Sequence, residues 1–77
     1  MSQHTPHELD QEFPDQVSRI HELKQSDAHF AKLADEYHEV NRQVHRHEVE
    51  IEVLSDEHIN EVKKQRLSLK DRIADYL

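Results

Sequence analysis

The chain has 77 residues, a formal charge of -7 at pH 7, 34% hydrophobic and 35% charged residues, and neither cysteine nor glycine. A chain this short removes only about 60% of its unfolded surface from water, so it makes one small domain with a marginal core that calls for a partner copy or a partner protein. The missing cysteines exclude disulfide staples, thiolate metal sites, redox motifs and a cysteine nucleophile.

Without staples or glycine the structure falls to helices. Glu, Lys, Arg, Gln, Leu and Ala lose little rotamer freedom there, and the composition is all-α. No stretch approaches the roughly 20 apolar residues of a membrane span, and the start "MSQHTPHELD" lacks the basic region and apolar core of a signal peptide. A cytoplasmic protein with no membrane contact is the expectation.

Residues 1–12 contain Pro6 and lack periodicity, which predicts a disordered lead. A single helical domain is expected over 13–77, with helices over about 14–25, 28–53 and 57–76. Phe13, Val17, Ile20 and Leu23 recur at three- and four-residue steps, with Pro14 suited to a first helical turn. "KQSDAHF" then interrupts the stripe, because Ser26 and Asp27 are strong N-cap residues and no apolar side chain bridges Leu23 and Phe30. A restart or kink at Asp27 is favoured over a continuous helix.

The next helix carries the strongest signal. Phe30, Tyr37, Val44 and Ile51 fall seven apart, Leu33 and Val40 share their face, and Ala34, Asn41 and Glu48 complete the stripe. Ser55 offers a cap for a further helix with Asp56 and Glu57 in its first turn. There Ile59, Val62, Leu69, Ile73 and Tyr76 repeat the spacing, and Arg66 stands where an apolar residue is expected, to be paired with Glu48 or Asn41. A short connection makes these two helices antiparallel neighbours, and both are on the order of 30 to 40 Å long. The expected fold is therefore an all-α antiparallel helical hairpin, coiled-coil-like, preceded by a short amphipathic helix.

Val17, Ile20 and Leu23 have no place along that hairpin unless their helix folds back or meets another molecule. Self-association through them and through the outer face of the hairpin seam, with a homodimer as the first expectation, follows from the small core. Asn41 is either a register device in the seam or a rim residue.

"LKQSDAHFAKLADEYHEVNRQVHRHE", followed by "KKQRLSLKDRIADYL", resembles the YdcH-like family of small bacterial proteins, a domain of unknown function. The resemblance covers roughly residues 17–77. It implies a bacterial, cytoplasmic helical hairpin with a short preceding helix, supports the restart after Asp27, and supplies no reaction and no catalytic residues.

Spacing also speaks against a metal centre. His38 and His45 are seven apart on one flank of the seam, while His47 lies on the other. Two turns separate side chains by about 10 Å along the axis, too far for metal bonds of roughly 2 Å. HExxH is absent, and the di-iron pattern of helical bundles has one loose match, Asp35 with His38. One loose constellation survives near the hairpin turn, His47 or His45 with Glu48 or Glu52 and His58, disfavoured because native metal sites need preset geometry and a supporting second shell. The histidines are read as solvated flank residues, with no metal and no cofactor. Their protonation would carry the formal charge from -7 to +1 (eight histidines, -7 + 8), which raises a pH-sensitive assembly as a lesser expectation.

Catalysis is not expected either. No serine sits in a strand-to-helix elbow, no glycine loop cradles phosphate, and a hairpin lacks a water-excluding pocket. Charge bears on partners. Residues 1–62 hold five basic and fifteen acidic side chains, whereas 63–77 hold five basic and two acidic. A self-associating, non-enzymatic protein–protein interaction module, a hairpin that presents an acidic, histidine-rich face or an amphipathic groove to a partner protein, is the leading reading. The alternative is a nucleic-acid accessory touching phosphates through Lys63, Lys64, Lys70 and Arg72, disfavoured by the acidic balance.

Overall fold

A computed structural model describes residues 7–49 and 54–77. Among the described residues the regular elements are α1 (Leu9–Glu12), a 3-10 turn (Pro14–Gln16), α2 (Val17–Ser26), α3 (Ala28–Glu48) and α4 (Asp56–Ala74). The all-α helical hairpin is the architecture observed: α3 and α4 lie side by side and supply most of the long-range contacts, and α2 packs back along α3.

The helix boundaries have local causes. The Asp27 carboxylate accepts the amides of His29 and Phe30, each at 3.0 Å, and so starts α3 in the extended conformation of an N-cap. Its neighbour Ser26 instead donates to the Glu22 carbonyl and closes α2. The Ser55 hydroxyl accepts the His58 amide at 3.2 Å and starts α4, with Asp56 and Glu57 beside the positive helix end. The described part of α3 ends at Glu48, with Val49 as its C-cap. The expected stretch of that helix beyond Val49, including Ile51, lies outside the described residues.

The core divides in two. The larger cluster gathers Leu9, Ile20, Leu23, Phe30, Leu33, Ala34, Tyr37, Leu69 and Ile73, with Phe13, Val40, Tyr76 and Leu77 packed against it. The smaller joins Val44, Ile59 and Val62, flanked by Val40 and Leu54. Between them lies a polar layer. Arg66 donates through Nη1 to Asn41 Oδ1 at 3.1 Å across the hairpin, and Asn41 is only 1% exposed, so the rim reading of Asn41 fails. A buried amide left without its partner costs about 1–3 kcal/mol, so this pair penalises any axial slip of α4 along α3.

Two expectations are corrected. Residues 7–12 do not stand apart as a lead: α1 places Leu9 in the core at 6% exposure. Ile20 and Leu23, expected to face another molecule, are buried at 5% and 7% within their own chain, because α2 turns back at Asp27 onto α3. Of that expected self-association face only Val17 is exposed, at 46%.

Candidate functional site

Two features gather polar chemistry beside apolar surface: the clasp that holds α1 and a groove between α3 and α4.

The clasp begins at His7, whose backbone is left-handed at φ 64°. A non-glycine residue there gives up on the order of 1–2 kcal/mol, which its surroundings must offset. Three contacts at His7 do so. Its amide donates to Gln11 Oε1 at 3.1 Å, its ring Nδ1 lies 2.9 Å from Glu12 Oε1, and its carbonyl accepts the Tyr37 hydroxyl at 2.6 Å. Glu8 reaches back to His38 Nδ1 at 3.1 Å, and Lys70 approaches Glu12 at 3.5 Å. Thus α1 is tied to both hairpin helices by its polar ends while Leu9 enters the core.

The clasp perturbs two acids. Burial raises the Tyr37 phenol from 10.0 to about 12, and the Glu12 carboxylate adds to the rise while Arg66 opposes it. Burial also acts to raise the Glu12 carboxyl, but the hydrogen bond with His7 and the charge of Lys70 outweigh it and hold the group below the ordinary 4.5. Beside the clasp a cavity of about 490 Å³ opens between α1, α2 and α3, with Leu9, Ile20 and Ala34 on its walls and His21, Lys24 and His38 around it.

The groove runs between α3 and α4, with a volume of about 470 Å³. Half-buried Val40 and the buried Leu69 supply its apolar side chains. Exposed Asp35, Glu36 and Glu39 line its α3 side, and Gln65, Ser68 and Arg72 its α4 side. Amphipathic helices that meet along a narrow seam leave such a channel wherever the flanking side chains are polar and turn outward.

The expected seam residues fall as follows. Phe30, Leu33, Tyr37, Val44, Ile59, Val62, Leu69 and Ile73 are buried. Val40 is half-buried and touches both core clusters, and Tyr76 is half-buried with its ring edge-on to Phe30 at 5.3 Å. The four cations of the phosphate alternative are spread around α4: Lys63 and Lys70 lie within about 20° of each other on one side, and Lys64 about 80° from Arg72. Lys63 and Lys64 are exposed and Lys70 is paired with Glu12. Arg72 lines the groove, about two and a half helical turns from Lys63 and therefore on the opposite side of α4.

The histidines have structural occupations that spacing does not reveal. His47 accepts the Leu54 amide through Nδ1 at 3.1 Å, and His38 holds Glu8. Among the described residues no group of three or more His, Asp or Glu is gathered to hold a metal ion, and no helix is long and apolar enough to cross a membrane.

The family described as "Protein of unknown function (DUF465)" matches residues 30–77, well over half of the chain. The chain belongs to the DUF465 family. No curated protein and no solved structure matches it. In this DUF465 protein the matched segment starts inside α3 and takes in α4, so it contains the groove in full but neither α1 nor α2.

Proposed function

We propose that this DUF465 protein is a non-enzymatic helical interaction module, YdcH-like, bacterial and cytoplasmic, as the resemblance over residues 17–77 implies. The open groove between α3 and α4 carries this reading. It offers apolar side chains at Val40 and Leu69 within a rim of exposed polar ones, the arrangement into which an amphipathic helix docks. The perturbed acids, by contrast, serve the clasp: Tyr37 and Glu12 are engaged in holding α1. Between the two partner classes expected from sequence, a second copy and a different protein, the second has the better support, because Ile20 and Leu23 are already covered within the protomer.

Photocrosslinking from defined positions in the native host tests the proposal. A crosslinker at Gln65, in the groove, is expected to capture a protein in stoichiometric yield that survives high salt and is lost when Val40 is replaced by lysine. The nucleic-acid alternative draws on the exposure of Lys63 and Lys64. It predicts instead that a crosslinker at Asn60 captures RNA or DNA, lost steeply with salt.

A further inference from the structure

We infer that the groove between α3 and α4 receives an amphipathic helix of another protein whose apolar stripe is flanked on one side by lysine or arginine. This rests on the interaction-module reading and names the chemistry of the partner. The two walls of the groove differ in charge. On α3, Asp35, Glu36 and Glu39 span about one helical turn, and Glu39 meets Arg42 only at 3.8 Å in an exposed pair one turn apart, which leaves its carboxylate open to a second cation. On α4, Gln65 and Ser68 are neutral and Arg72 is cationic. A helix lying over Val40 and Leu69 therefore meets carboxylates along one flank and hydrogen-bonding or cationic groups along the other. Cations on its α3-facing flank, spaced three or four residues apart, match the spacing of the carboxylates. The wall on α4 disfavours cations near Arg72, so the partner's orientation is set as well as its charge.

A second copy fits less well. The large apolar residue that α4 exposes is Leu67, at 60%, with Lys63 and Lys64 one turn before it. It lies about 100° round the helix from Ser68 and about 140° from Arg72, on the flank away from the groove. Leu67 seated in a second copy's groove would join two different faces of the chain, a contact that propagates head to tail unless its rotation closes a ring, whereas two-fold dimers are the commonest assemblies. Charge would admit either occupant, and it is symmetry that favours a different chain.

The test uses the full-length, isotope-labelled protein and three synthetic helices of about two heptads. All carry leucine on one face, and one flank bears lysine, glutamine or glutamate. The lysine peptide is expected to shift amide resonances around 35–40 and 65–72 and to bind at least about tenfold more tightly than the glutamine peptide. Replacing Glu36→Lys with Glu39→Lys should weaken it by about tenfold or more, while Glu22→Lys with Asp71→Lys, an equal charge change away from the groove, should not. Equal weakening by both pairs would reduce the effect to net charge and overturn the inference. Equal binding of the glutamine peptide in the groove would also overturn it while sparing the interaction-module reading. Absence of binding by all three peptides would remove both. Groove shifts that grow with protein concentration alone would assign the site to a second copy, against the inference.

Discussion

Tyr37 ties the segment before α1 to α3 through one hydroxyl, since its bond to the His7 carbonyl spans 30 residues of sequence. Tyr37→Phe keeps the ring in the core and removes only that bond, and should lower stability by about 1 kcal/mol in urea unfolding. Its ionisation has a defined sign. A phenol raised from 10.0 to about 12 keeps its proton in the folded state after the unfolded chain has released it. Its contribution is therefore fully present below pH 10.0 and is lost as the pH rises towards about 12. The alkaline limb of the wild-type stability profile should fall more steeply over that interval than the limb of Tyr37→Phe. Glu12 runs the other way: its lowered carboxyl contributes above the ordinary 4.5, and the contribution is lost as the pH falls through the folded value, so Glu12→Gln should flatten the acid limb. At the polar layer, Arg66→Leu alone removes the Arg66 donor from the buried Asn41 carbonyl, at a cost of about 1 kcal/mol. Asn41→Leu combined with Arg66→Leu should cost less than the sum of the two single changes, measured as a double-mutant cycle.

At the scale of elements, the hairpin helices were legible because a helix of five or six turns repeats its period often enough to announce its face. Phe30, Tyr37, Val44 and Ile73 each recur on that face and are buried to 0% exposure. The caps were equally legible, since Asp27 and Ser55 have a chemical reason to sit where they do. The four-residue α1 was not. It contributes one buried side chain, Leu9, and a single residue has no period; the four-residue step from Leu9 to Phe13 is the one faint signal that the sequence carried. For α2 the apolar stripe was plain but its counterpart was not, because a stripe records that a face is covered without recording by what. A groove could be expected of two amphipathic helices, but its lining was illegible for a related reason: Glu36, Gln65 and Arg72 lie far apart in the chain and become one surface only when the helices cross. Alanine substitution separates these elements by magnitude. Phe30→Ala and Ile73→Ala should each cost a few kcal/mol in thermal melts, Leu9→Ala about 2 kcal/mol, and Leu67→Ala less than about 0.5 kcal/mol.

The whole molecule measures 37 × 30 × 19 Å, and its thinnest dimension is about two helix diameters. Every helix therefore keeps a flank in water, which is why the polar chemistry lies in surface channels and a clasp. The histidines among the described residues are spread in the same way. His7 and His38 already face carboxylates of their own chain, so sedimentation at pH 7.5 and 5.5 is expected to return the same mass. A mass that changes between the two would make the histidines determinants of assembly.

The division of the core bears on how proteins of this kind are cut for experiment. Leu9, Ile20 and Leu23 belong to the larger cluster yet precede the segment shared with the family. A fragment trimmed to residues 30–77 would keep the groove but uncover the face of α3 that those three side chains shield. Such a fragment should be sticky, and what it captured would report the trimming rather than the biology.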